Sequence, residues 1–414
     1  MNPGPSECVV ADQRVRVAAI RSCDCGLQGP ENLILMLAER LRASRFDHVI
    51  VNLWDGQPPQ VALHDEAVRR GLESEVAATR WSYDPSLVVK LRRLLRRRGV
   101  HLVHTYNAKA EVVTLAATIG LGIPRVGSYF GCFPVWPLRE QIHEATSLIT
   151  LRLFQRVLAN SGMLKDELRK FGFPARRILV VPSYVDTDEI RPTTAEQRRG
   201  ARRAFGIAAN ASVVLQLARL HPEKGHAYVL QALPRIARTH PEVVYLVVGG
   251  GWQLDELQRM AGELGVASRV TFTGYHPDRI EALNAADVLI TPSLREGLSV
   301  SLLEAMATGL PIVATRIYGS AEAVVDGETG RLVEPRNPAA LADAVVQLLD
   351  DLPSARAMGM AGRRLVEERY SADRVTADIM RCYEDLVRRG VSGNAESPAA
   401  ARAGSRPGVG PRGR

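Results

Sequence analysis

The chain has 414 residues, is 46% hydrophobic and 24% charged, and carries a formal net charge of +8. That length exceeds one ordinary core and predicts two domains of globular composition. No run of 18 apolar residues occurs, and residues 1–13 lack a charged region followed by a hydrophobic one, which argues against a membrane span and a secretory signal and sets the expectation of a cytoplasmic protein. The charge is uneven, +5 over residues 1–190, −2 over 191–387 and +5 over 388–414. Aromatic residues make up 5% and do not interleave with a basic face, so nucleic acid is not an expected partner. Cys8, Cys23, Cys25, Cys132 and Cys382 are odd in number and scattered, which reads as reduced thiols. Cys23 and Cys25 have no second Cys/His pair at zinc spacing, so no metal site is expected there.

Residues 1–13 read as a disordered N-terminus. VRVAAI (residues 15–20) is a buried strand, a loop reaches Gly29, and ENLILMLAERLRA is an amphipathic helix. HVIVNLW is the next strand. The following helix, ending in LRRLLRRR, puts Leu87, Leu91, Leu94 and Leu95 on one face and Lys90, Arg93, Arg96 and Arg97 on others. Those cations are either the wet face of a sheet-covering helix or a peripheral contact with anionic lipid. VHLVHTYN, a helix over about 112–119, PRVGSYF, RVLANSGMLKDELRKFG and RILVVPSYVD complete a first half in which strand and helix alternate, the pattern of a parallel sheet. His104, at a strand's carboxyl end, either lines a ligand site or is packed. RPTTAEQRRGARRAFG reads as a polar connection, which puts the domains at 14–190 and 191–371.

In the second half the strand SVVLQLAR (residues 212–219) runs into LHPEKGH and a helix over about 227–238. Arg219 and Lys224 share that loop at the carboxyl end of a strand, the edge where open parallel sheets bind ligands, and their charges suit a diphosphate. The blander reading is two surface charges among 53 Lys and Arg. Gly249 to Gly251 follow VVYLVV and serve a tight turn or a close approach to ligand. The segment REGLSVSLLEAMATGLPIVAT holds Glu296 before a helix and Glu304 inside it, with Leu302, Leu303 and Met306 on its buried side. The amides of Leu298, Ser299 and Val300 are expected as first-turn donors aimed at a phosphate or sugar oxygen. The blander readings are Glu296 as an acid satisfying the helix dipole and Glu304, taken alone, as a solvated helix residue. Helices over residues 355–368 and 372–388 follow, and a tail from residue 390, rich in Gly, Pro, Ala and Arg, is expected to be disordered.

The motifs ARLHPEKG, VVGGGWQLDEL, VTFTGYHPD, REGLSVSLLEAMATGLPIVAT and AEAVVDGETGRLVEP, in this order across residues 212–335, resemble the retaining GT-B glycosyltransferases of family 4. The resemblance implies two doubly wound, Rossmann-like α/β domains facing across a cleft, with a helix at 372–389 crossing back to the first domain. It implies transfer of a sugar from a UDP- or GDP-sugar to the hydroxyl of a surface polysaccharide, a lipid-linked glycan or a small natural product. No cofactor or bound metal is implied, because two fixed cations and a helix N-terminus stabilise charge on the leaving diphosphate as a divalent ion does elsewhere. Residue by residue, Arg219 and Lys224 match the pair that neutralises the diphosphate, and Glu296 matches the acid that holds the transferred sugar. Glu304 matches the acid that accepts ribose hydroxyls, while Gly274 and Tyr275 match the segment bordering the base. The first half departs from the pattern. A paired glycine reads Gln28 and Gly29, of which Gly29 alone still permits close approach to the donor phosphate. A histidine-glycine pair reads Phe130 and Gly131, and an asparagine-glycine pair reads Ser183 and Tyr184. Those departures keep two alternatives open, a nucleotide-sugar-binding scaffold that has lost turnover and a nucleotide-sugar epimerase. Donor hydrolysis without acceptor distinguishes the first, conversion of the donor to its epimer the second.

Overall fold

The structure, a computed structural model, describes residues 14–22, 27, 29–55, 61–81, 84–131 and 138–395. The expectations for residues 1–13, Gln28, the four cysteines other than Cys382, and the tail beyond 395 lie outside the described residues.

The first sheet contains β1 (Val15–Ser22), β2 (Phe46–Trp54), β3 (Glu73–Ala78), β4 (Leu102–Thr105), β5 (Arg125–Tyr129), β6 (Arg156–Ala159) and β7 (Ile178–Val180). They are all parallel, in the order β3-β2-β1-β4-β5-β6-β7. Helices α1 (Gly29–Leu41), α2 (Ala62–Arg69), α3 (Ser86–Arg97), α4 (Ala108–Thr118), α5 (Leu138–Leu151) and α6 (Gly162–Lys170) join them. The central strands are buried almost continuously because helices cover both faces of a parallel sheet. On α3 the four predicted leucines are buried. Part of its positive charge is spent within the protein: Lys90 Nζ donates to the Ala78 carbonyl at 2.6 Å and Arg97 pairs with Glu75 at 3.0 Å. Helices α2 and α5 and strand β3 have no counterpart in the elements predicted from sequence. ESEVAA, with only Ala77 buried, is a short polar edge strand, so it lacks the apolar run that marks the interior ones.

The second sheet contains β8 (Ser212–Leu217), β9 (Val243–Val248), β10 (Val270–Gly274), β11 (Val288–Thr291), β12 (Ile312–Thr315) and β13 (Arg331–Val333), in the order β10-β9-β8-β11-β12-β13 and again parallel. Its helices are α7 (Ala195–Ala204), α8 (His226–Thr239), α9 (Leu254–Glu263), α10 (Arg279–Ala285), α11 (Val300–Ala307), α12 (Tyr318–Ala323), α13 (Pro338–Asp350) and α14 (Leu352–Arg369). The stretch read as a polar connection is therefore helical. Thr194 and Gln197 form a reciprocal capping box at the start of α7, and Arg198 and Arg202 each reach Asp287 at 2.6 Å. Caps and ion pairs supply what its low hydrophobicity does not.

The final helix, α15 (Ala372–Ala395), returns to the first sheet as the resemblance implies. Ala372, Val375, Ile379, Tyr383 and Leu386 pack with Val15, Leu37, Phe46 and Leu102. It runs past the expected end at 389, because lengthening an existing helix needs no new nucleus even though Gly390 and Gly393 each cost about 1 kcal/mol against alanine. His104 is packed under α15: its Nδ1 lies 2.6 Å from the Tyr383 hydroxyl and its Nε2 lies 2.8 Å from Ser128 Oγ. Burial holds its pKa well below the ordinary value, so it is neutral and lines neither cavity described below. In both sheets the strand order reverses once, at β1/β4 and at β8/β11. Such switch points are where doubly wound sheets bind ligands.

Candidate active site

A cleft of about 440 Å³ opens at the carboxyl ends of β8 and β11 and is closed on its other side by the N-terminus of α1 and by Phe130 and Ser183 of the first half. Arg219, Lys224, Glu296 and Glu304 all line it, together with Gly29, Tyr275, Leu298, Ser299 and Val300. The chain reaches this arrangement through one close backbone approach. Gly225 ends the PEK turn in the left-handed region (φ 71°), and a Cβ there would lie 2.1 Å from the Pro292 carbonyl oxygen. Glycine alone lets that turn lie against the end of β11, where the Glu223 carbonyl accepts from the Leu294 amide at 2.7 Å. Lys224 Nζ is thereby brought to 2.6 Å from Glu296 Oε1, while Ser293 Oγ donates to the other Glu296 oxygen at 2.9 Å. Arg219 is different: its side chain is 58% exposed and its nearest carboxylate, Glu223, is 3.8 Å away, so most of its charge faces the open cleft.

The helix α11 supplies the second part. Ser299 is its N-cap and makes no side-chain capping bond, the Ser299 and Ser301 hydroxyls instead contacting each other at 2.9 Å. The leading amides therefore belong to Ser299, Val300 and Ser301, and Leu298 is not a first-turn residue. It precedes the cap, buries its side chain in the core, and offers its carbonyl to Ser183 Oγ at 2.8 Å. Gly29 stands directly opposite, since a Cβ on it would meet the Val300 side chain at 3.4 Å. Two helix N-termini, those of α1 and α11, thus face each other across the cleft, and the positive ends of both dipoles favour an anion between them.

Glu304 lies deeper. It is buried and paired with Arg279, whose Nη2 is 2.8 Å from Oε1. Burial raises its pKa and the Arg279 charge opposes that rise. Arg279 is the cleft residue that sequence reasoning missed. Its signal was present in HPDRIEAL, where Asp278 caps α10 by accepting from the Glu281 amide at 2.9 Å and so fixes Arg279 at the first helical position beside the Gly274-Tyr275 loop. Gly274 itself does not line the cleft. Its carbonyl accepts from the Gly249 amide at 2.9 Å, and the chain then turns out to Tyr275, 64% exposed at the rim. Gly249 has φ 145°, and a Cβ there would lie 2.1 Å from the Ala218 carbonyl oxygen, which ties the glycine run to the backbone just before Arg219.

The departures in the first half have packing roles. Tyr184 is buried with its hydroxyl donating to the Leu33 carbonyl at 2.9 Å, Ser183 bridges the two halves through Leu298, and Phe130 forms an apolar wall. A second cavity of about 520 Å³ opens at the carboxyl ends of β1 and β4, and Pro30 and Phe130 line both cavities. Among the described residues no group of three or more His, Cys, Asp or Glu side chains is arranged to hold a metal ion. The Asp-x-Asp tripeptide at Asp186 to Asp188 lies outside the cleft, with both carboxylates directed at Arg40, at 2.5 and 3.5 Å. No helix among the described residues is long and apolar enough to cross a membrane.

Comparison with known proteins agrees with this geometry. The family profile described as glycosyl transferases group 1 matches residues 197–365, and that of glycosyltransferase family 4 matches residues 27–189. A GDP-mannose-dependent α-(1-6)-phosphatidylinositol monomannoside mannosyltransferase from Mycobacterium tuberculosis is 33% identical over 313 residues, 71% of this chain and 78% of that protein. The protein of the same name from Mycolicibacterium smegmatis is 41% identical over 202 residues, 47% of this chain and 52% of that protein. Among solved structures, HepE from Anabaena, crystallised with UDP, superimposes with a TM-score of 0.77 at 22% identity, covering 90% of this chain and 100% of its own, a likeness of fold. Motif order, two opposed doubly wound sheets and matches on both halves lead to one conclusion: the chain belongs to the group 1 glycosyltransferases, with the GT-B fold.

Proposed function

We propose that the chain transfers a hexose from a nucleoside-diphosphate sugar to an acceptor hydroxyl, with retention at the anomeric carbon and without a divalent metal. The observation that carries this reading is the Lys224–Glu296 pair beside the exposed Arg219, set at the β8/β11 switch point and facing two helix N-termini. Cleavage of the bond between the anomeric carbon and the phosphate oxygen leaves charge on the diphosphate. Arg219, Lys224 and the leading amides of α11 meet that charge where water is partly excluded and electrostatic effects are strongest. Glu296, already oriented by Ser293, accepts the hydroxyls of the transferred sugar, and Glu304 accepts those of the ribose.

Retention is supported by the state of the carboxylates. Glu296 and Glu304 are the acids lining the cleft among the described residues, and each is held by a cation, Lys224 or Arg279. Neither is a free base for an acceptor attacking from the face opposite the leaving group. The departing phosphate oxygen is then the base: the acceptor oxygen bonds to the anomeric carbon on the face the phosphate leaves, and its proton passes to the diphosphate. Holding the two reactants together supplies about 7–11 kcal/mol of the barrier reduction. The mycobacterial relatives, named for GDP-mannose, make GDP-mannose the first donor to test, ahead of a UDP-sugar. Membrane contact through α3 rests on Arg93 and Arg96, the exposed cations of the predicted set that have no partner described above.

The test is product analysis. The full chain, with GDP-mannose or UDP-glucose and an acceptor mixture in excess EDTA, is expected to form a glycoside whose anomeric proton has the donor's α configuration. An inverted product, or complete loss of transfer in EDTA restored by magnesium, contradicts the reading.

A further inference from the structure

The second cavity lies at the other switch point, and its chemistry differs from that of the cleft. Its cations are already compensated. Lys109 Nζ is 2.9 Å from Asp55 Oδ2, and Arg21 is bonded to Glu31 and, at 2.9 Å, to the Tyr106 carbonyl. The rest of its polar lining is hydroxyl, amide and carboxyl, with the His143 imidazole. Ser147 Oγ donates to Glu111 Oε2 at 2.5 Å, and both residues are almost wholly buried, with Glu111 1% exposed. Glu144, one turn before Ser147 on α5, also lines the cavity, with the Tyr129 hydroxyl beside its carboxyl. Burial is the largest influence on Glu111 and pushes its carboxyl up to about 8, with Glu144 adding to the rise and Ser147 opposing it. Near neutral pH it keeps its proton and can donate as well as accept.

A phosphorylated ligand that draws on Lys109 or Arg21 has to break the Lys109–Asp55 or Arg21–Glu31 pair, and it settles beside the carboxyls of Glu111 and Glu144. A neutral ring with vicinal hydroxyls faces no such cost, because each of its hydroxyls both donates and accepts, as do Ser147 and protonated Glu111. We propose that this cavity holds the acceptor as a neutral polyhydroxylated ring, a pyranose or cyclitol, gripped through vicinal hydroxyls by Glu111, Glu144 and Ser147. Another hydroxyl of that ring is then presented past Phe130 and Pro30 to the donor cleft. The inference deepens the proposed transferase reading and rests on it for the role of the ring as acceptor.

The test titrates methyl α-D-mannopyranoside, myo-inositol and mannose 6-phosphate into the full chain, with and without saturating GDP or UDP. At least one neutral ring is expected to bind tenfold or more tightly than mannose 6-phosphate. Glu111→Leu is expected to weaken it at least tenfold and Glu111→Gln less than threefold, with the nucleotide Kd within twofold of wild type in both. If the leucine variant fails to fold, Ser147→Ala takes its place, with an expected three- to tenfold loss. Octyl α-D-mannoside distinguishes the source of the ring: a gain over the methyl glycoside assigns it to a lipid, equal affinity to a free glycan. Tighter binding of mannose 6-phosphate overturns the inference, as does absence of ring binding or a leucine variant with wild-type ring affinity. Failure of the nucleotide to bind contradicts the donor reading instead, and the nucleotide-free titration still decides the ring.

Discussion

The two cavities occupy equivalent positions in two similarly wound sheets, yet they are built on opposite electrostatic plans. The cleft at β8/β11 leaves a cation exposed, Arg219, and converges two helix N-termini on one space. At β1/β4 Lys109 and Arg21 are tied to carboxylates and the Glu111 carboxyl is buried. Fold therefore fixes where ligands bind, while side-chain pairing decides which charge they carry. An open cationic site suits a diphosphate whose charge grows during reaction, and a compensated one suits a hydroxyl that must arrive neutral.

The largest effect expected from this contrast comes from the cleft. Lys224→Ala and Glu296→Ala each lower kcat about 10²–10³-fold, the usual cost of removing one preorganised electrostatic partner. Steady-state kinetics with unchanged far-ultraviolet circular dichroism checks this, and near wild-type turnover in both variants removes the mechanism. Gly225→Ala comes next. It forces a Cβ toward the Pro292 carbonyl at positive φ, a strain of about 1–3 kcal/mol, and displaces Lys224 from Glu296. A lower Tm and a fall in kcat are expected together, whereas Gly99→Ala, also at positive φ but with nothing within 4 Å, lowers Tm alone.

The other cavity is tested by pH. In the native chain Glu111 keeps its proton up to about 8, while unfolded it loses the proton near 4.5. Between those values the native state binds more protons, so stability is lost as pH rises through the window. Glu111→Gln is expected to flatten that decline relative to wild type in urea denaturation at pH 5 and pH 8, and identical slopes count against the buried, protonated carboxyl. Ser183→Ala is the smallest effect. Loss of its hydrogen bond to Leu298 costs about 1 kcal/mol and loosens the joint between the halves, seen as a Tm drop of a few degrees with kcat changed by less than the cleft variants.

The same contrast explains what was legible in the sequence. Arg219, Lys224, Glu296 and Glu304 sit in two short segments whose glycines and strand-to-helix turns mark them, and all four line one cleft. Arg279 escaped because a cation after a capping Asp is common on any helix, and only the fold shows Glu304 buried beside it. The second cavity was illegible for a different reason. Arg21, Asp55, Lys109, Glu111 and Ser147 come from β1, the end of β2, α4 and α5, so no window of sequence contains them. α7 and β3 were missed as well: a capping box and the Asp287 ion pairs stabilise α7, and pairs of Glu73 and Glu75 with Arg97 and Arg98 hold β3, where apolar periodicity is weak.

The most direct test of the account is isothermal titration of GDP and UDP into the full chain in excess EDTA, alongside Lys224→Ala and Arg219→Ala. The account predicts that wild type binds at least one of the two without metal and that each variant binds it at least tenfold more weakly. Binding that needs magnesium, or that survives unchanged in both variants, contradicts it.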